Sequence, residues 1–192
     1  VDTLLLKQGS EHLLHLAIAV NTTAELDNDR GIGNPTESAL LLWLKAKGHD
    51  YAELRKQCTM VSQQPFSTER KYMSTRVLAE GTQYLFVKGA PEIVLAKCDL
   101  DDKEKQKAQE ELADFQRKAM RTLAFAYQKA EDGKMTLQAI VAITDPLRKE
   151  VPAAVQECRK AGIEVKMVTG DTAATAFEIG KQIGIFEEDN TS

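Results

Sequence analysis

The chain lacks any uninterrupted apolar stretch near the roughly 20 residues that a membrane-crossing helix requires. Its longest run, Ala39 to Leu44, is far shorter, so no span lies within this sequence. Cysteine is scarce: Cys58, Cys98 and Cys158 are odd in number, widely spaced and contain no C-x-x-C pair. That excludes a disulfide framework or a zinc-ligand set and fits a reducing, cytosolic setting. His12 and His15 lie three apart on an expected helix, but no acidic or thiol partner accompanies them as a metal set. No dense basic run is present, and the formal net charge of -4 argues against a general nucleic-acid binder. There is no secretory signal, and the chain opens at Val1 without methionine, so it reads as a piece of something longer.

What is present is ordinary globular material, 43% hydrophobic and 28% charged over 192 residues, enough for one domain plus part of another. A helix is expected from Ser10 to about Asn21, then a polar loop from Glu25 to Gly33 whose Gly-x-Gly is too short for a dinucleotide turn. Asn34-Pro35-Thr36-Glu37 is a helix start, with Asn as N-cap, Pro at N1 and Glu at N3. That helix runs to Gly48, and a short one follows from Asp50 to Gln57.

Strands are then expected at 58–61, 65–71, 72–79 and 84–88, forming an antiparallel hairpin about Gly81-Thr82. In the last of them Tyr84, Phe86 and Lys88 share one face, and Gly89-Ala90-Pro91 turns the chain into a helix to Cys98. A lysine ending an aromatic-lined face calls for an anion; the alternative is a side chain that snorkels to solvent at a sheet edge. A long amphipathic helix is expected from Asp101 to Arg121, and strands at 122–130 and 135–144 complete an α+β domain, an antiparallel sheet flanked by helices.

The idiom changes at Asp145. A helix is expected from Glu150 to Ala161, a buried strand from Ile163 to Val168, a turn at Thr169-Gly170-Asp171-Thr172, and a helix to Gly184. This is about one and a half units of a doubly wound α/β fold, and residues 187–192 have no pattern. The expected domains are thus 1–143 and 144–192, the second a partial haloacid-dehalogenase-like segment.

Five clusters carry chemistry. Phe66 in Pro65-Phe66-Ser67-Thr68-Glu69-Arg70-Lys71 offers a face on which a purine can stack, Lys71 and Lys88 are point charges for phosphates, and Arg121 is suited to a bidentate grip. Glu37 can accept from an exocyclic amine, and Thr169, Gly170 and Asp171 offer a hydroxyl, backbone N–H groups and a carboxylate to a phosphate or Mg²⁺. The structural alternatives are that Glu37 caps its helix, Phe66 belongs to the core and the cations are surface groups.

The order of the clusters is more specific than any one of them. Asn-Pro-Thr-Glu-Ser-Ala-Leu (34–40), Pro-Phe-Ser-Thr-Glu-Arg-Lys-Tyr-Met-Ser (65–74), Lys-Gly-Ala-Pro-Glu (88–92), Met-Arg-Thr-Leu-Ala (120–124), Asp-Pro-Leu-Arg (145–148) and Thr-Gly-Asp (169–171) closely resemble P-type ATPases, cation pumps of the calcium-transporting type. The resemblance implies a cytoplasmic nucleotide-binding domain of an integral membrane protein, followed by part of the phosphorylation domain. Its ATP-binding residues would be Glu37, Phe66, Arg70, Lys71, Lys88, Gly89 and Arg121. Asp145, Pro146 and Arg148 would form the hinge, and Thr169, Gly170 and Asp171 the phosphate and Mg²⁺ region. ATP and Mg²⁺ are the implied cofactors. The implied partners are the phosphorylation, actuator and membrane domains of the parent pump, with no nucleic acid and no direct membrane contact by this segment.

Two departures qualify this. Where many calcium pumps have arginine two residues after the stacking phenylalanine, this chain has Thr68, which leaves one phosphate contact missing or supplied by Arg70. Neither Asp-Lys-Thr-Gly-Thr, whose aspartate takes the phosphoryl group, nor Thr-Gly-Asp-Gly-x-Asn-Asp occurs here, so no catalytic residue is expected in this segment. Two other readings stand beside it: a haloacid-dehalogenase-like phosphatase, and a non-catalytic nucleotide-binding or interaction domain.

Overall fold

The computed structural model describes residues 1–5, 11–118, 120–129, 133–144, 150–169 and 173–186. Their contacts gather into two units, 1–111 with 122–143, and 112–121 with 144–192.

The first unit is built on a six-stranded sheet ordered β1-β8-β7-β6-β5-β4. Its strands are β1 (Asp2–Leu5), β4 (Cys58–Gln64), β5 (Tyr72–Ala79), β6 (Thr82–Gly89), β7 (Arg121–Lys129) and β8 (Thr136–Ile143), and the pairings β1/β8, β4/β5, β5/β6 and β6/β7 are antiparallel. The expected alternation holds: register places Met73, Thr75 and Val77 opposite Lys88, Phe86 and Tyr84. On that face the rings of Tyr84 and Phe86 stack with centroids 5.7 Å apart.

The same face is covered by α1 (Glu11–Val20), α2 (Pro35–Ala46) and α3 (Tyr51–Lys56). Leu14 and Ile18 from α1 and Leu40, Leu41 and Leu44 from α2 join Phe86, Phe125 and Val141 in one buried cluster. Each such side chain contributes about 1.5–3 kcal/mol by leaving water. His15 is buried in α1, its ring 4.3 Å from His49 and edge-on to Trp43 at 5.7 Å. The short α4 (Pro91–Leu95) packs against β6 and β8.

Asn34 caps α2 as its sequence requires, accepting from the N–H groups of Thr36 at 2.9 Å and Glu37 at 3.4 Å. Asn34→Ala should therefore lower stability by about 1 kcal/mol, read as a shift of the denaturant midpoint at unchanged slope.

Several expectations are corrected. The loop at 25–33 is a hairpin of β2 (Glu25–Asp27) and β3 (Arg30–Ile32), turned by Asn28 and Asp29 at φ 46 and 67, positive values that these two residue types tolerate. The segment 65–71 is no strand: β4 continues through the expected break to Gln64, with a register shift between Met60 and Ser62, and pairs there with Ser74. The long helix α5 (Asp102–Arg117) stops before Arg121, which opens β7 instead. Strand β1 has no signal within its own four residues; it forms because β8 offers an edge.

The second unit contains α6 (Val151–Lys160) and α7 (Ala173–Gln182). Residues 163–168 are irregular rather than a buried strand, with Ile163 56% and Val168 97% exposed. A strand is defined by its neighbour's hydrogen bonds, and among the described residues none pairs with this run. Among the described residues no helix is long and apolar enough to cross a membrane.

Candidate functional site

The end of the sheet where β6 exits brings five of the expected residues to one place. Register sets Lys88 opposite Met73 and Gly89 opposite Tyr72, while the 65–71 connection leaves β4 at Gln64 and re-enters at Tyr72. Phe66, Arg70 and Lys71 therefore lie at the same end of the sheet as Lys88 and Gly89.

Lys88 is neither at an edge nor at the surface. It sits between β5 and β7 and is only 5% exposed. Its Nζ donates to Glu37 Oε1 at 2.6 Å, a charge-assisted hydrogen bond between two buried side chains. The reading of Lys88 as a snorkelling edge lysine fails for that reason.

Glu37 is the hub. Its Oε2 accepts from the Thr22 hydroxyl at 2.9 Å, the Thr23 N–H at 2.9 Å, the Thr23 hydroxyl at 3.0 Å and the Ala24 N–H at 3.2 Å. The carboxylate thus reaches across to the end of α1 instead of back to its own N-cap, and a simple capping box does not describe it. Burial by itself would raise the Glu37 carboxyl. The Lys88 charge and hydrogen bond, with those from Thr23 and Thr22, outweigh burial and hold it below its ordinary value. Burial pushes the Lys88 ammonium down, and the charge and hydrogen bond of Glu37 oppose it. Both Glu37 oxygens face donors, four on Oε2 and the Lys88 Nζ on Oε1, an environment that favours the ionised carboxylate with Lys88 as its donor.

No motif in the sequence points to the residues behind this hub. Asn21, fully buried, accepts from the Thr75 hydroxyl at 2.9 Å and donates to the Met73 carbonyl at 3.4 Å. Gln63 donates to the Val20 carbonyl at 3.2 Å and to Thr75 Oγ1 at 3.1 Å. These bonds tie the end of α1 to β4 and β5, the strands that carry the 65–71 connection.

Phe66 is 59% exposed, so it does not belong to the core. Arg70 braces its loop: the guanidinium donates to Ser67 Oγ at 3.1 Å, Gln64 Oε1 at 3.2 Å and the Pro65 carbonyl at 2.8 Å, and lies 5.8 Å from the Tyr72 ring centre. Lys71 holds φ +58 and is exposed, its Nζ 4.0 Å from Glu92. Arg121 is exposed at the start of β7.

In the second unit Thr169 is exposed and lines a cleft of about 940 Å³ with Val155, Ile163, Phe177 and Phe186. Gly170, Asp171 and the hinge residues Asp145, Pro146 and Arg148 lie outside the described residues. Among the described residues no group of three or more His, Cys, Asp or Glu side chains could hold a metal ion.

Comparison with known proteins places these features in context. Residues 9–150 match the family described as P-type ATPase, cytoplasmic domain N. A calcium-transporting ATPase of Listeria monocytogenes is 32% identical over 95% of this chain and 23% of its own length. The calcium-transporting ATPase PAT1 of Dictyostelium discoideum is 40% identical over 82% of this chain and 16% of its own. Calcium-transporting ATPase 1 of Lactococcus lactis is 33% identical over 98% and 25%. The chain thus spans a quarter or less of the length of the relatives it matches. With the antiparallel sheet, its helices and the family match over 9–150 taken together, the chain belongs to the P-type ATPase cytoplasmic domain N family.

Proposed function

We propose that this chain is the ATP-holding part of a cation pump of the calcium-transporting kind, and that it positions ATP for phosphoryl transfer to an aspartate outside residues 1–192. The observation that carries the reading is the pairing of an exposed aromatic shelf, Phe66 on its Arg70-braced loop, with the buried Lys88–Glu37 pair at the same end of the sheet. An exposed phenylalanine is a stacking surface for a purine, and an ionised carboxylate behind it accepts from an exocyclic amine. Lys71 is free to swing toward phosphates from the surface, whereas Lys88 is already engaged and acts from the floor. Gly89 lets the 71–72 backbone close over that floor. Arg121 is the candidate grip on the phosphates.

In this reading residues 1–143 form the nucleotide domain and 144–192 open a haloacid-dehalogenase-like phosphorylation domain, with Asp145, Pro146 and Arg148 as hinge. Thr169, Gly170 and Asp171 would serve its phosphate and Mg²⁺ region. In this reading the work of the nucleotide domain is to bind and orient ATP. The rest of the pump, including its phosphorylation, actuator and membrane domains, would be its partner. The relatives' names support calcium as the transported ion.

Phe66→Ala should weaken ATP binding by about 5- to 150-fold, the equivalent of ~1–3 kcal/mol of stacking. Its melting temperature should not move, because the ring is largely in solvent already. Calorimetric titration of both proteins with ATP checks this, and equal affinities would remove Phe66 from the site. Absence of NMR shifts with ATP, ADP and AMP alike would favour an interaction domain instead.

A further inference from the structure

We infer that the turn Thr22-Thr23-Ala24 is the positioning element of the nucleotide site, fixing Glu37 as a pure acceptor and thereby setting the preference for a base that presents an amine. The inference rests on the reading of the site as an ATP site and adds the residues that set its selectivity.

The turn grips one oxygen of Glu37, and the other faces Lys88. Four of its donors converge on Oε2, at 2.9 to 3.2 Å. Oε1 receives one bond, from Lys88, and keeps a lone pair. The direction of the Thr22 hydroxyl is fixed as well. Its oxygen accepts from the Ala24 N–H at 3.1 Å, so its own proton is aimed at Glu37.

The turn is itself immobilised from two sides. Asn21, at its N-terminal shoulder, is locked into β5 through Thr75 and the Met73 carbonyl. Arg55 of α3 donates to the carbonyls of Ala19 at 2.8 Å and Ala24 at 3.2 Å. The charged groups around Glu37 are therefore Lys88 from β6 and, behind the turn, Arg55 from α3.

An ionised carboxylate held this way only accepts. It suits the exocyclic amine of adenine and opposes the carbonyl that hypoxanthine and guanine present at the same ring position. Remove the hydroxyls and burial works against the charged form with fewer opponents, so a proton arrives at higher pH and the carboxyl becomes a donor.

The test uses the full chain and compares ATP with ITP, which lacks the amine. Affinities are measured for wild type, Thr22→Val, Thr23→Val and the two serine variants from about pH 3 to 7, because the folded Glu37 carboxyl titrates below its ordinary value. Thr23 is exposed, so its valine variant folds even where the buried Thr22 does not tolerate the change. The expected result is a wild-type preference for ATP and about a tenfold loss of ATP affinity in each valine variant. The pH at which the preference disappears should rise in the valine variants, and serine should restore it. Valine variants that keep the wild-type ATP-to-ITP ratio and its pH midpoint overturn the inference. So does a wild type that binds both nucleotides equally, which leaves the ATP reading intact. A wild type that binds neither overturns that reading and this inference with it.

Discussion

Lys88→Ala is expected to lower the stability of this domain by about 3 kcal/mol and to weaken ATP binding at the same time. Removing one member of a buried ion pair typically costs about 3–5 kcal/mol, because the other charge stays buried without its partner. The lower end applies here, since Glu37 keeps the four donors of the 22–24 turn when Lys88 is gone. Urea unfolding measures the loss. Lys88→Met removes the charge while filling most of the space, and pairing it with Glu37→Gln removes the stranded carboxylate. The double variant should therefore be more stable than Lys88→Met alone, a non-additivity that marks a direct interaction. A Lys88→Ala protein as stable as wild type would mean that the 2.6 Å contact contributes nothing to folding.

The same pair gives the domain an acid limit with a defined sign. The folded-state Glu37 carboxyl lies below its ordinary value of 4.5, so its contribution is fully present above that pH and fades as pH falls through the folded value. In Lys88→Ala the largest opponent of burial is missing, and this stabilising contribution disappears. Wild type should thus lose its advantage over Lys88→Ala progressively below pH 4.5. A stability difference that stays constant down to pH 3 would contradict the assignment of the low-pH loss to Glu37.

The pair also shows where the sequence was legible and where it was not. Period-two alternation placed Tyr84, Phe86 and Lys88 on one face, and stacked rings at 5.7 Å occupy that face. Alternation says nothing about whether a strand is central or at an edge, so the burial of Lys88 had to wait for β7 to be seen beside β6. Asn34 and Pro35 announced α2 through local chemistry, but the destination of the Glu37 carboxylate is a turn on another element, with no pattern of its own. The run 163–168 shows the opposite failure. Its apolar residues look like a buried strand, yet strand identity belongs to the pair and not to the segment. Asn28-Asp29 turns its hairpin without the glycine that usually announces such a turn.

The second large effect is expected at Gly89. Its backbone is not in the left-handed region, so the demand for glycine there comes from close approach and not from φ. A Cβ at this position would lie 2.4 Å from the Lys71 carbonyl oxygen and 2.5 Å from Tyr72 Cβ. Neither neighbour can yield cheaply. The Lys71 carbonyl accepts from the Ala90 N–H at 2.9 Å, Lys71 N–H donates to the Ser67 carbonyl at 2.8 Å, and Tyr72 is in register with Gly89 itself. Gly89→Ala must therefore prise the 71–72 backbone off β6, at a cost of about 1–3 kcal/mol or more for overpacking and the disturbed hydrogen bond. The displacement passes to the Phe66 loop, because Arg70 joins Tyr72 to Ser67, Gln64 and Pro65. ATP affinity should fall along with stability, unlike in Phe66→Ala, where affinity falls alone. If the affinity loss runs through a misplaced Phe66, the double variant Phe66→Ala, Gly89→Ala will bind ATP no worse than Phe66→Ala, since there is no ring left to misplace. Fully additive losses would instead show that Gly89 acts on the nucleotide by its own route, through the backbone at the Lys88 floor.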